Sequence, residues 1–246
     1  MFPTLFHFGH VSLPTFGALA ALGLMLALWL SERTAGLAGV DAAKLWDAGI
    51  FAVIAAFCLS RALLVVAYWK TFRAFPVLLL SVPSLTATGL LLTAIATCGW
   101  LWLKRVAVLR VLDAWAPCGA LVWACLALGH FAEGSDPGMP TTLPWGLRPM
   151  PGEGMRLQPV ALYVCVLATG LAVGSYGLLR RRLRAGMTAG IALGSAGVGQ
   201  FLLSFLRQPG AAMGGLDVLE WVGAGMAVVG VGLVLFGETR TNASAP

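Results

Sequence analysis

Seven long apolar stretches, at roughly 11–30, 47–69, 76–103, 107–129, 159–179, 187–206 and 217–237, leave little of this chain for anything else. Each is near or above the ~20 residues an α-helix needs to cross the hydrocarbon core of a bilayer. Only 11% of residues are charged against 59% hydrophobic, and the mean hydropathy is +0.88. A soluble domain could not hide that much apolar surface. The first stretch is too long, and followed by too many others, for a cleaved signal peptide. The sequence therefore reads as an all-α integral membrane protein with seven transmembrane helices.

The basic residues orient it. With the N-terminus outside, the inner side carries ten Lys and Arg: Arg33, Lys44, Lys104, Arg105, Arg110, Arg180, Arg181, Arg182, Arg184 and Arg240. The outer side carries five, Lys70, Arg73, Arg148, Arg156 and Arg207, and Arg61 lies within a span. This bias places the N-terminus out and the C-terminus in the cytoplasm. Trp46, Trp69, Trp100, Trp102, Trp145 and Trp221 stand near span ends, as interfacial anchors do. The net charge of +6 belongs to helix ends and lipid headgroups, not to nucleic acid.

Residues 1–240 form one membrane domain, followed by a short polar tail at 241–246. Asn242, Ala243 and Ser244 fit a glycosylation sequon, but on the cytoplasmic side. A long outer loop at about 130–158 is too rich in Gly and Pro for regular helix. The five cysteines, Cys58, Cys98, Cys118, Cys125 and Cys165, lie in apolar stretches without metal-ligand or disulfide spacing, so they read as buried small hydrophobes. His7 and His10 precede the first span without further ligands nearby, so no metal site and no cofactor is implied.

Few polar residues remain. Arg61 is the charge deep in a span: it pairs with a carboxylate or helix-end carbonyls, or it meets a lipid phosphate. His130 and Glu133, three apart, share a helix face if that end is helical; they are an acid–base pair or two interfacial residues facing water. Asp136, Arg148, Glu153 and Arg156 read as a solvated loop, with partner recognition as the alternative. Gly190, Gly194, Gly197 and Gly199 in the sixth span, and Gly223, Gly225, Gly230 and Gly232 in the seventh, read as close helix packing.

An ordered set of motifs resembles the bacterial prolipoprotein diacylglyceryl transferase family. Leu13-Pro14-Thr15-Phe16-Gly17 is similar to its first-helix motif, and Ser60-Arg61 to its G-A-R. The central run from Asp113 to Tyr163 resembles an L-A-P helix, then G-R-x-G-N-F-x-N-G-E-x-x-G, T-D-L-P-W-G and H-P-x-Q-L-Y. The segment Phe201 to Pro209 resembles R-F-L-x-E-F-x-R-x-P, and Gly215 to Trp221 resembles G-L-T-x-G-Q-W. The resemblance spans nearly the full chain. It implies a multi-pass protein of the bacterial inner membrane, seven spans, and transfer of diacylglyceryl from phosphatidylglycerol to a lipoprotein cysteine.

Most of the polar groups that chemistry needs are replaced. The family's H-G-G reads Thr88, Gly89, Leu90; its glycine-run Arg and two Asn are Ala127, His130 and Glu133; the following Glu is Ser135. In the sixth span its Arg and Glu are Gln200 and Ser204; the first-helix Tyr is Phe16, and the Gln of H-P-x-Q-L-Y is Ala161. Gly129, Gly134, Gly138, Pro144, Trp145, Gly146, Pro159, Tyr163, Arg61 and Arg207 are retained. The resemblance thus implies lipid contact at Arg61, Gly129, Gly134, Gly138 and Arg207, with His130 and Glu133 as the catalytic candidates. The expected function is a catalytically degenerate homologue that binds phospholipid, phosphatidylglycerol foremost, or a lipoprotein signal segment, or partners another membrane protein. An active transferase on prolipoproteins, or a related lipid transferase using His130, Glu133 and Arg61, are the alternatives. Paired broken helices, as in transporters, are not evident.

Overall fold

The structure, a computed structural model, describes residues 4–8, 11–75, 86–148, 155–208, 212–213 and 216–237. Within these segments side chains are described from Pro14 onward, except those of Ala87, Ala212, Met213 and Leu216. The side chain of His7, and His10, Glu153, Arg240 and the 241–246 tail, lie outside what is described.

Among the described residues six helices are long and apolar enough to cross a membrane: α1 (Thr15–Ala38), α2 (Ala42–Ala67), α5 (Val108–Glu133), α6 (Val160–Arg180), α7 (Met187–Ser204) and α8 (Val218–Phe236). The short α3 (Trp69–Ala74) follows α2, and α4 (Ala87–Leu103) corresponds to the third expected span. Residues 76–85 of that span lie outside the described part, and α4 as described is 17 residues long. Three two-stranded hairpins complete the element order: β1 (Thr4–Phe8) with β2 (Val11–Pro14), β3 (Pro140–Thr141) with β4 (Arg156–Leu157), and β5 (Ala212–Met213) with β6 (Leu216–Asp217).

Helix ends follow local chemistry. The first span was expected at 11–30, but residues 11–14 are strand and α1 begins after Pro14. At its other end α1 continues through Ser31, Glu32, Arg33 and Thr34. Ser31 and Thr34 are buried and return their hydroxyls to the carbonyls of Leu28 and Ser31, so the polar run costs little there. Arg33 lies over the Trp29 ring at 4.3 Å. α2 starts at an Asp41 cap, whose carboxylate accepts the Ala43 N–H at 2.9 Å. α5 runs past the expected loop boundary to Glu133 and ends at Gly134 in the left-handed conformation. The loop therefore begins at Gly134, and both His130 and Glu133 are helical.

α5 is the hub, packed against α1, α6 and α7, while α2 packs on α4 and α1. At one end of the bundle Ala35, Leu45, Val111 and Leu179 from four helices form an apolar cluster. Large apolar side chains such as Ile54, Ile95, Val166, Val228 and Phe236 face outward. Such a surface is stable only against lipid. Cys118 and Cys125 are buried as expected, but Cys58 and Cys98 are exposed on α2 and α4.

α8 is held by α7 through glycine. A Cβ on Gly197 would meet the Ala227 nitrogen at 2.5 Å and the Gly223 carbonyl oxygen at 2.6 Å; one on Gly230 would meet the Gly190 oxygen at 2.7 Å. Only bare backbone lets the two helices approach this closely. Gly199 instead meets Leu167 of α6, and a Cβ on Gly225 or Gly232 would meet nothing within 4 Å. The expected packing role thus holds for Gly190, Gly194, Gly197, Gly223 and Gly230 in this seam, and not for the last two.

The start of α7 is anchored by a residue the sequence reading passed over. Asp113, on α5, is fully buried. Its carboxylate accepts the Gly186 N–H at 2.8 Å and the Ala189 N–H at 2.9 Å. These are amides that the helix itself leaves unpaired at its N-terminus, where the macrodipole also favours negative charge. Gly186 adopts φ 87° to present that amide.

Asp113→Ala should destabilise the folded protein by about 2–3 kcal/mol through loss of the cap and burial of unpaired N–H groups, whereas Asp113→Asn should cost less. Thermal unfolding in detergent reads this, and an unchanged midpoint for Asp113→Ala would exclude the anchor. Gly230→Ala should cost about 1–3 kcal/mol by forcing the seam apart, while Gly225→Ala should be neutral or gain up to ~1 kcal/mol. Equal effects at the two positions would rule out the seam.

Candidate functional site

Small residues on facing helices leave space between them. Ala189, Ala192 and Ala196 lie on one face of α7, next to the face that carries the glycine seam, and Ala116, Gly119 and Ala120 lie on α5. Together with Trp115 and Trp123 of α5 and Val222, Met226 and Val229 of α8, they line a cleft of about 820 Å³. This volume is within the ~300–1,000 Å³ of typical small-molecule sites. The lining is overwhelmingly apolar along the length of the helices.

One end of the cleft is polar, where α5 and α7 finish. His130, Gln200, Asp136 and Arg207 meet there. Gln200 is buried at 8% exposure, and its amide has no hydrogen-bond partner among the described residues. Arg207 donates from Nη2 to Asp136 Oδ2 at 3.0 Å. The Arg207 Nε is buried and has no partner among the described residues. His130 Nδ1 lies 2.8 Å from Ser135 Oγ, and its ring packs on Phe16 at 4.8 Å. Ala127, at the family's Arg position, lines the same wall and brings no polar group.

The loop after α5 is stitched over this end by backbone. The Met139 N–H donates to the Leu206 carbonyl at 2.8 Å, and the Gln158 N–H to Met139 at 3.0 Å. Leu147 and Leu157 exchange both N–H···O bonds. Trp145 Nε1 donates to Tyr163 Oη at 2.8 Å, and Tyr163 in turn to Gln158 Oε1 at 3.2 Å. Arg156 donates to the Leu143 and Pro144 carbonyls. A smaller pocket of about 70 Å³ under this loop shares His130, Asp136 and Ala161 with the cleft.

The structure separates the residues that the sequence grouped. Arg207 and His130 are at the cleft. Glu133 is half-buried on α5 and does not line it; the His130 hydrogen bond goes to Ser135 instead. Arg61 lies on α2 with its guanidinium 5.2 Å from the Phe72 ring centroid, away from the cleft lining. Gly129 lets α5 approach Phe16 of α1, where a Cβ would come within 2.8 Å of the ring. Gly134 caps α5, and Gly138 fits against Gln158 and Val160. Asp136, expected in a solvated loop, is instead the partner of Arg207. Gln200 was visible only as a replaced position; its burial at the head of the cleft depends on packing that no local signal encodes.

Comparison with known proteins agrees with this architecture. A family model described as prolipoprotein diacylglyceryl transferase matches residues 3–236. The phosphatidylglycerol–prolipoprotein diacylglyceryl transferase of Bordetella parapertussis is 32% identical over 54% of this chain, and the match spans about half, 53%, of that relative. The protein of the same name from Synechococcus elongatus is 27% identical over 97% of this chain and 89% of its own length. That of Wolbachia pipientis is 27% identical over 84% of this chain and 82% of its own. With six helices among the described residues long and apolar enough to span a membrane, the protein is a multi-pass protein of the bacterial plasma membrane. The chain belongs to the prolipoprotein diacylglyceryl transferase family.

Proposed function

We propose that this chain is a lipid-binding homologue of the diacylglyceryl transferases that does not itself transfer the diacylglyceryl group. The observation that carries this reading is the make-up of the polar end of the cleft. Moving diacylglyceryl from phosphatidylglycerol to a thiol expels a phosphate-bearing leaving group. That step needs cations on the phosphate and an acceptor for the thiol proton. Ala127 supplies neither, Gln200 is a neutral amide, and Arg207 spends its charge on Asp136. The apolar length of the cleft suits acyl chains of a glycerolipid, and a lipoprotein signal segment or a second membrane protein are further partners of the same apolar chemistry.

A second reading has one observation in its favour. His130 lines the cleft beside Arg207 and is held by Ser135 and Phe16. An imidazole so placed could take a thiol proton, as an active transferase would require. The two readings part in one assay. Purified protein in membranes containing phosphatidylglycerol should give no thioether-linked lipidation of a lipobox peptide above the enzyme-free control. Robust product that disappears in His130→Ala would replace the first reading by the second.

The proposed topology is seven spans, counting α4, with the N-terminus out and the C-terminus cytoplasmic. It rests on the ten-to-five distribution of Lys and Arg. A reporter fused after Arg240 should report the cytoplasm; a periplasmic signal there would reverse the assignment.

A further inference from the structure

The charge at the head of the cleft decides what kind of lipid it takes. The cationic side chain lining it, Arg207, is matched by Asp136 at 3.0 Å, and the other polar side chains there are Gln200 and His130. An anionic headgroup entering this end would face the Asp136 carboxylate with no uncompensated guanidinium among the described lining residues to meet it. Bringing a charge into a site of low dielectric without a partner is costly. What the site does offer is neutral hydrogen bonding. The Gln200 amide is more than nine-tenths buried and has both a donor and an acceptor to give. Asp136 presents carboxylate oxygens to a hydroxyl.

We infer that the cleft selects an uncharged glycerolipid, one whose polar end carries a free hydroxyl and ester carbonyls, over an anionic phospholipid. Diacylglycerol is the simplest member of that class. Its hydroxyl donates to Asp136 or the Gln200 carbonyl oxygen, its ester carbonyls accept from the Gln200 amide, and its chains lie along Trp115, Gly119 and Met226. This inference rests on the reading of the cleft as a lipid site. It differs from the anionic headgroup that the resemblance alone implies.

The test uses purified full-length protein in a neutral detergent. Equal amounts of dioleoylglycerol and dioleoylphosphatidylglycerol are offered, and native mass spectrometry counts what is retained. Dioleoylglycerol should be retained about tenfold better, a difference of ~1.4 kcal/mol. Asp136→Asn, which uncovers the Arg207 charge, and Gln200→Arg, which adds one, should each move the ratio toward the anionic lipid by about tenfold or more. Equal or better retention of phosphatidylglycerol by the unaltered protein overturns the inference, as does a ratio unchanged in both variants. Gly119→Phe separates the two levels of the argument, because a side chain there enters open space and fills the cleft without disturbing its walls. Loss of retention in Gly119→Phe places the lipid in the cleft. Equal retention in that variant, or no retention of either lipid by the unaltered protein, overturns the lipid site itself and the selectivity with it.

Discussion

The approach of two glycine-bearing helices holds the far wall of the cleft in place. Beyond a few contacts with β6, α8 packs chiefly on α7, and it does so because Gly190, Gly194 and Gly197 of one helix meet Gly223 and Gly230 of the other. In lipid there is no hydrophobic gain from burying Leu against Leu, so close backbone contact carries the association. α7 is in turn fixed to α5 by the two amides that Asp113 accepts. The cleft is the space left when α8 is held on one side of α7 and α5 on the other. Its shape depends on small residues at both joints, and its chemistry depends on what stands where α5 and α7 end.

Much of the fold was legible because the bilayer imposes a length and the helix ends have local markers. Six of the seven apolar runs overlap the six membrane-length helices among the described residues. Pro14, Asp41 and Gly134 explain where α1, α2 and α5 start or stop more finely than hydropathy did. The glycine seam was legible as a pattern, though a pattern cannot say which glycines face a partner, and Gly225 and Gly232 look outward. Cys58 and Cys98 look outward as well: a thiol is apolar enough to face lipid, so lying in a span does not imply burial in protein.

The site was less legible, and the reason is separation along the chain. Asp113 meets residues 73 and 76 positions later, and Asp136 meets Arg207 across two intervening helices. Neither pairing leaves a local spacing to read. A charge within a span is costly, which singles out Arg61 in the sequence, yet it lies on α2 against Phe72 of α3 and is not among the residues lining the cleft. The replaced family positions, Ala127 and Gln200, did prove to border one space. The motif order carried that information, since residues that a family keeps for one reaction must converge in space whatever now occupies them.

The burial of Asp113 also bears on how the chain is assembled. Synthesis delivers α5 to the membrane before α7 exists, so for a time this acid has neither the Gly186 nor the Ala189 amide to bind. A carboxylate at the centre of an inserting helix costs about 2.5–3.5 kcal/mol, and Asp113, six residues into α5, sits close enough to the helix start to wait in the headgroup zone. When α7 arrives, its first turn meets a carboxylate already in position, and docking pairs two amides that the helix cannot pair by itself. The join between α5 and α7 is thus a contact that neither helix can make before the other is in the membrane.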